Sequence, residues 1–135
     1  MKPIAVFGYN EYAKEIASNF KLSGVDVFIY AIDEASVKRA DEDGHDVELV
    51  ELDDNWLNIG EKFNTDELTC FCALDDDAQN VFLTISLRAE YPQLFIIALA
   101  TSKDSANKLS LAGANKAIAK LETTANIIVE CLEKP

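Results

Sequence analysis

The first 33 residues combine two apolar segments, a glycine turn and an amphipathic segment in a fixed order. Ile4–Phe7 is apolar and runs directly into Gly8, an amphipathic stretch follows, and Val25–Ile32 ends at Asp33. The βαβ unit that binds dinucleotides has the same order. It consists of a strand, a tight turn, a helix with apolar residues every three or four positions, a second strand and an acid. The order therefore predicts that the chain begins with such a unit.

The glycine turn keeps only part of the G-x-G-x-x-G pattern of dinucleotide-binding proteins. Gly8 occupies the first glycine position, whereas Asn10 and Ala13 occupy the second and third. Asparagine tolerates left-handed backbone angles better than most residues, so we expect the turn to form. Its side chain takes up space that a pyrophosphate would approach. The turn therefore favours a mononucleotide, an altered ligand pose or an empty site over tight NAD binding.

The candidate ligand-binding residues lie where the two predicted strands end. Backbone amides in the turn and at the start of the helix are expected to face phosphate groups, where the helix dipole favours negative charge. These residues are Gly8, Tyr9, Asn10, Glu11 and Tyr12. Asp33 follows Gly8 by 25 residues, near the spacing of about 20 at which an acid meets ribose hydroxyls.

Apolar and amphipathic segments continue to alternate along the rest of the chain. Further strands are predicted at Val47–Leu52, Thr69–Leu74, Leu94–Leu99 and Lys116–Ala119. Helices are predicted at Trp56–Phe63, Asp76–Tyr91, Lys103–Leu111 and Thr123–Leu132. This alternation indicates parallel strands joined by right-handed crossovers. We therefore expect an α/β fold over residues 1–135: a single doubly wound, Rossmann-like domain with a six-stranded parallel sheet in the order 3-2-1-4-5-6 and helices on both faces.

Composition restricts the partners and the location of the chain. Its net charge of −12 disfavours binding to nucleic acid or directly to anionic lipid. No apolar run reaches the roughly 18–20 residues that span a bilayer, and the N-terminus lacks a signal-peptide pattern, so a cytoplasmic location is expected. Cys70, Cys72 and Cys131 form no metal-binding pattern and suit a reducing compartment.

The sequence contains no recognisable arrangement of catalytic or metal-binding residues. It lacks a Ser-His-Asp set, an H-E-x-x-H motif and a Walker lysine, and it carries one histidine. The acidic run Asp41–Asp46 fits no EF-hand spacing and is typical of a solvated turn, which places His45 on the surface. We therefore predict that the chain is not an enzyme and binds no metal.

The predicted helix Asp76–Tyr91 carries apolar residues on more than one face. One stripe is expected to cover the sheet, and it consists of Val81, Phe82, Ile85 and Ala89. Leu83 and Leu87 lie off that stripe, and Leu111 is similarly placed near the sixth strand. Apolar residues on a second face form either a partly buried flank or a partner surface. We therefore expect a homodimer or a larger ring through this helix and Lys103–Leu111.

Three stretches of the chain carry a resemblance to a known family. The first is the turn Gly8-Tyr9-Asn10 with Asp33, and the second is the acidic, asparagine-containing helix start Asp75–Asn80. The third is Leu111–Ile118, whose Gly-Ala-Asn core precedes the sixth strand at a fixed position. Together they resemble the N-terminal lobe of RCK domains (regulators of potassium conductance, also called TrkA-N or KTN domains) of the type linked to bacterial potassium channels.

The resemblance implies a cytosolic regulatory domain that changes shape when a ligand occupies its cleft. The change would be relayed to a potassium channel or transporter whose pore lies on the same or another polypeptide. It implies AMP, ADP, ATP or NAD(H) as the ligand, and it adds Asp53 and Asp75 to the candidate site. Leu52-Asp53 lacks the family's glycine and Leu99-Ala100-Thr101 lacks an arginine common in nucleotide-binding members, which weakens the case for NAD. The alternative is a free-standing nucleotide-binding protein or an oxidoreductase fragment unrelated to ion transport.

Overall fold

Strands and helices alternate throughout residues 2–51 and 59–119, the part of the chain that the computed structural model describes. The strands are β1 (Ile4–Phe7), β2 (Val27–Ala31), β3 (Asp46–Leu49), β4 (Thr69–Cys72), β5 (Phe95–Ala100) and β6 (Lys116–Ala119). The helices are α1 (Glu11–Leu22), α2 (Glu34–Glu42), α3 (Ile59–Lys62), α4 (Asp77–Glu90) and α5 (Lys103–Ala112). The predicted helix Thr123–Leu132, the beginning of the predicted helix Trp56–Phe63, and the residues Asp53 and Cys131 lie outside the described residues.

The sheet is six-stranded and parallel, in the order β3-β2-β1-β4-β5-β6. In the register of the central strands, Ile4 of β1 lies between Val27 of β2 and Thr69 of β4. The predicted fold class and strand order are confirmed. Because β2 and β4 lie on opposite sides of β1, the connections diverge there and open a crevice at the carboxyl ends of β1 and β4.

The central strands are buried on both faces, which explains their continuous apolar sequence. Successive side chains point to opposite sides of a strand. Val6 therefore packs with Ile16 of α1 in one core cluster, whereas Phe7 stacks on Tyr30 in the other, with ring centroids 4.9 Å apart. Burial of each such large side chain contributes about 1.5–3 kcal/mol. Among the described helices, none combines the length and the apolar character needed to cross a membrane.

Helix α4 turns a different face to the sheet from the predicted one. Its buried side chains are those of Asn80, Leu83, Thr84 and Leu87. Phe82 and Ile85 are 50% and 49% exposed, so the prediction that their stripe covers the sheet is wrong. The prediction failed because the buried stripe contains two polar residues, whereas the outer stripe is more uniformly apolar. Leu83 and Leu87 belong to the core and form no partner surface.

The acidic run after α2 is only partly a solvated turn, and the prediction that His45 lies on the surface is wrong. Helix α2 continues to Glu42, and Gly44 then turns the chain with φ +83°. His45 follows and is only 6% exposed, because the ring of Tyr9 packs edge-on against the imidazole at 5.8 Å between centroids. Within residues 2–51 and 59–119, no three His, Cys, Asp or Glu side chains are grouped closely enough to hold a metal ion.

The stretch Leu111–Ile118 forms a junction between α4, β5 and β6. The guanidinium of Arg88 donates to the carbonyl oxygen of Gly113 at 3.0 Å and to Oδ1 of Asn115 at 2.7 Å. The same Asn115 oxygen accepts from the backbone N–H of Ile96 at 2.8 Å. The motif that most resembles the family therefore has a structural role in this chain.

Candidate functional site

The crevice at the carboxyl ends of β1 and β4 is narrowed because the turn after β1 closely approaches the loop after β4. Gly8 directly follows β1 and has φ +109°, and a Cβ atom at this position would lie 2.5 Å from the carbonyl oxygen of Ala73. Such a distance is far inside van der Waals contact. Glycine is therefore required here both for its backbone angle and for the contact with the loop that follows β4.

Asn10 spans the crevice with its side-chain amide. Its Oδ1 accepts from the backbone N–H of Ala13 at 2.9 Å and so caps α1. Its Nδ2 donates to the carbonyl oxygen of Ala73 at 2.7 Å and to Oδ1 of Asp75 at 2.9 Å. Its backbone is extended, with φ −127° and ψ −171°, so the left-handed conformation that we considered for this residue is not adopted. Asn10 thus fastens the turn after β1 to the loop after β4.

This contact affects any anion that enters the crevice. A phosphate would compete with the carboxylate of Asp75 for the Asn10 amide, and the two negative charges would repel each other. The start of α1 still carries the backbone N–H groups that favour an anion. The site can therefore take a phosphate if Asp75 moves away, and a pyrophosphate requires more such movement than a single phosphate.

The side chain of Tyr9 points away from the crevice into the core. It is 5% exposed, and its hydroxyl donates to Oδ2 of Asp43 at 2.5 Å. Burial and the neighbouring Asp43 raise the pKa of Tyr9 above its ordinary value, and the hydrogen bond from Tyr9 lowers the pKa of Asp43. Lys14 Nζ lies 3.6 Å from the same Asp43 oxygen. Only the backbone of Tyr9 is therefore available to a ligand at the turn.

Asp33 lies at the carboxyl end of β2, as its position in the sequence predicts. Its carboxylate accepts from the backbone N–H of Ser36 at 2.7 Å and from Ser36 Oγ at 3.1 Å, so it caps α2. Arg39 Nη2 donates to Ser36 Oγ and to the carbonyl oxygen of Tyr9, both at 3.0 Å. Arg39 thereby connects α2 to the glycine turn. A role of Asp33 toward ribose hydroxyls stays a prediction.

The loops that follow β4 and β5 are held together by polar side chains. Asn80, which is fully buried, bonds both backbone groups of Leu74 at 2.9 and 3.0 Å and the carbonyl oxygen of Leu99 at 3.1 Å. Asp77 accepts from Thr101 through both the backbone N–H, at 3.1 Å, and Oγ1, at 2.5 Å. These bonds fix the wall of the crevice opposite Gly8.

The structure brings three of the candidate site residues together, namely Gly8, Asn10 and Asp75. Glu11 is exposed and Tyr12 is partly buried in the first turn of α1, whereas Asp53 lies outside the described residues. A cavity of about 300 Å³ lies beside the turn, and no sequence pattern predicts it. Its lining residues are Tyr9, Asn10, Glu11, Lys14, Arg39 and Asp43. Arg39 and Lys14 could not be recognised because no local motif marks them.

Comparison with known proteins gives matches by family and by sequence. The model of the TrkA-N domain family matches residues 4–120, which confirms the resemblance. Potassium channel protein 1 of Methanocaldococcus jannaschii is 28% identical over 114 residues. The alignment covers 84% of this chain and 34% of the relative, so the chain spans about a third of the length of that protein.

Solved structures show the same fold. The NAD(P)-binding domain of an exopolyphosphatase-related protein from Archaeoglobus fulgidus superposes with a TM-score of 0.79, at 14% identity and 100% coverage of both chains. The TrkA-N domain of the inner membrane protein ybaL from Escherichia coli superposes with a TM-score of 0.72, at 18% identity, covering 98% of this chain and 97% of that one. GsuK, in a structure bound to ADP, superposes with a TM-score of 0.73 at 18% identity, covering 87% of this chain and 31% of that one. GsuK is also solved bound to NAD.

Proposed function

We propose that this chain, which belongs to the TrkA-N domain family, is a nucleotide-sensing regulatory domain of a potassium channel or transporter and has no enzymatic activity of its own. The family match over residues 4–120 is the observation that carries the proposal, and the relative named as a potassium channel protein supports the link to potassium. Ligand binding at the β1–β4 crevice would shift the domain between two conformations, and the pore would respond to that shift.

The ligand of this proposal is an adenine nucleotide. GsuK binds ADP and NAD, which supports both a mononucleotide and a dinucleotide for the family fold. In this chain Asn10, at the second glycine position of the motif, is bonded to Asp75, and the motif predicts that a pyrophosphate approaches at that position. We therefore infer that AMP, which carries a single phosphate, binds more tightly than NAD or NADH, each of which carries a pyrophosphate.

A thermal-shift series with AMP, ADP, ATP, NAD and NADH tests nucleotide binding. A ligand that binds only the folded state stabilises it by about 2.7 kcal/mol at a hundredfold excess over its dissociation constant. An increase in melting temperature with at least one adenine nucleotide is expected. If none of the five raises it at millimolar concentration, the chain is no nucleotide sensor. Potassium flux with and without the domain then separates a transport regulator from a free-standing nucleotide-binding protein.

Replacing Asp33 by serine is expected to weaken adenine nucleotide binding without unfolding α2. Serine caps helices about as well as aspartate, so the free energy of unfolding should change little. Loss of a charged hydrogen-bond acceptor for ribose should cost about 1.5–3 kcal/mol of binding free energy. Asp33→Ala should lose about 1 kcal/mol of stability in addition, because it also removes the cap. Titration calorimetry measures the affinity, and an affinity equal to wild type would exclude Asp33 from the site.

We infer that two copies of the domain associate through the outer surfaces of α4 and α5. Phe82 and Ile85 are about half exposed on α4, and Leu111 is 89% exposed near the end of α5. The inner residues of both helices already cover the sheet. Exposed large apolar side chains on two neighbouring helices are typical of a protein interface. This surface replaces the Leu83 and Leu87 surface predicted from the sequence.

Sedimentation velocity of an Ile85→Glu variant tests the interface. Wild type is expected to sediment as a dimer at micromolar concentration. In the variant the dissociation constant of the dimer should rise at least tenfold, because a symmetric interface buries the new charge twice. Leu22→Glu is the matched control, since Leu22 is 87% exposed on α1, which packs on the opposite face of the sheet. A wild-type monomer at all concentrations, or equal effects of both variants, would contradict the interface.

A further inference from the structure

His45 is a buried base with one ring nitrogen that finds no hydrogen-bond partner among the described residues. It is the sole histidine of the sequence and is 6% exposed. Within the part of the chain that the structure describes, its Nδ1 has no hydrogen-bond partner. Buried polar atoms are paired in the great majority of cases, so an unpaired one calls for an explanation. Its ring instead contacts Tyr9, with a centroid distance of 5.8 Å and an interplanar angle of 65°.

We propose that His45 is a proton-sensitive contact that holds Tyr9 in place when it is neutral and releases it when protonated, so that pH controls the glycine turn. The consequence for ligand affinity rests on the proposed function, whereas the contact itself does not. Tyr9 lies in the chain between Gly8 and Asn10, so a shift of its ring moves the turn that borders the crevice.

Besides the imidazole and its apolar neighbours in the core, Tyr9 is held by hydrogen bonds to described residues on α2 and at its cap. Its hydroxyl donates to Asp43 Oδ2 at 2.5 Å, and its carbonyl oxygen accepts from Arg39 at 3.0 Å. Asp43 is two residues from His45 and, with Asp46, is a carboxylate that a charged imidazole would attract. Protonated His45 therefore competes with the Tyr9 hydroxyl for Asp43. The anchor of Tyr9 weakens as the imidazole gains its proton.

The charged groups around His45 come from each neighbouring element. They are Lys14 and Lys21 of α1, Asp41 of α2, Asp43 at its cap, Asp46 and Glu48 of β3, and Lys62 of α3. Lys21 Nζ donates to the carbonyl oxygen of Gly44, directly before His45. Burial, followed by Lys21, lowers the pKa of His45, and Asp43 and Asp46 oppose this effect. The neutral imidazole is therefore the form that the folded state prefers.

The direction of the pH effect follows from proton linkage. Because the pKa of folded His45 lies below its unfolded value of about 6.5, the unfolded or released form binds more protons in the interval between the two values. The contribution of neutral His45 to the free energy of unfolding is complete above about pH 6.5 and is lost as the pH falls toward the pKa of folded His45. Acidification should therefore loosen Tyr9, and alkaline pH should not.

NMR titration of the nucleotide-free chain from pH 8 to pH 5 tests the proposal. A chain with one histidine gives one imidazole signal, which is expected to titrate below pH 6.5. The amide signals of Tyr9 and Asn10 should shift with the same midpoint. His45→Gln should remove this transition from both amides. Tyr9→Phe frees Asp43 to pair with the imidazolium, so it should raise the midpoint of His45.

The outcomes are distinct from those that test nucleotide binding. Amides of Tyr9 and Asn10 that do not follow the imidazole, or that keep the transition in His45→Gln, would overturn the proposal. If His45→Gln fails to fold, the Tyr9→Phe variant decides the question. A titration midpoint of His45 in that variant equal to wild type would also overturn the proposal. With AMP as the probe, the affinity of wild type should fall from pH 7.5 to pH 5.5 by at least threefold more than the affinity of His45→Gln. The His45→Gln variant controls for titration of the AMP phosphate. If the amides follow the imidazole but AMP binds at no pH, the result would contradict the nucleotide site and support the proton-sensitive contact.

Discussion

Gly8→Ala is expected to destabilise the chain by about 3–5 kcal/mol, because it combines backbone strain with overpacking, each of which costs roughly 1–3 kcal/mol. The backbone at Gly8 has φ +109°, and an added Cβ would lie 2.5 Å from the carbonyl oxygen and 2.9 Å from the carbonyl carbon of Ala73. Both neighbours are backbone atoms in a loop that Asn80 fixes through Leu74. They cannot turn aside as a flexible side chain would. Urea unfolding followed by circular dichroism measures the loss.

Gly24→Ala provides the matched control for Gly8→Ala. Gly24 also has a positive φ, +85°, but an added Cβ would meet nothing within 4 Å. Its replacement should therefore cost only the left-handed backbone strain, about 1–2 kcal/mol. The difference between the two variants isolates the close approach of the turn to Ala73. Equal losses at both positions would show that the two loops separate without cost.

The contact of Gly8 with Ala73 changes what the glycine motif means in this chain. The first glycine of a dinucleotide-binding motif is usually explained by the tight turn that leads the chain to the phosphate site. Here the fold itself requires glycine, since the neighbouring loop already fills the space of a Cβ. The presence of Gly8 is thus no evidence for a ligand, and the case for nucleotide binding depends on family membership and on the carboxyl-end crevice.

The fold was predictable because its signals are local. Each central strand is a short apolar run buried on both faces, and the predicted Lys116–Ala119 coincides with β6. Predicted strands such as Val25–Ile32 are longer than the observed Val27–Ala31, since apolar residues beside a strand are also buried. Alternation of strands and helices then restricts the topology to a few parallel arrangements, of which the doubly wound order is one.

The contacts of the candidate site were not predictable because they join residues that are distant in sequence. Asn10 meets Ala73 across 63 residues, and Tyr9 meets Asp43 across 34. Periodicity and spacing carry no information on such pairs. The same limit explains the error on α4, where the apolar pattern alone could not reveal that Asn80 finds its hydrogen-bond partners inside the core.

Asn80→Leu is expected to destabilise the chain by about 3–5 kcal/mol. Leucine has the same branching of heavy atoms, so the substitution mainly removes the bonds of Asn80 to Leu74 and Leu99, which are 2.9–3.1 Å long. Each buried backbone group that is left unpaired costs about 1–3 kcal/mol. The loss should appear as a lower urea midpoint. Amide exchange at Leu74 should also become faster than in wild type, because that N–H loses its acceptor.

Thr84→Val is the control that separates hydrogen bonding from burial on the same stripe of α4. Thr84 is fully buried, as Asn80 is, but its Oγ1 makes no hydrogen bond of ordinary geometry among the described residues, and the polar group that it meets is the weakly bonding thiol of Cys72. Valine has the same shape and removes a buried polar atom whose contact is a weak one with a thiol, so this variant should be neutral or more stable by up to about 1 kcal/mol. Equal destabilisation by Asn80→Leu and Thr84→Val would mean that packing alone sets the stability of α4. Opposite signs would establish that Asn80 holds the loops of the crevice by its hydrogen bonds, which an apolar residue in that place cannot replace.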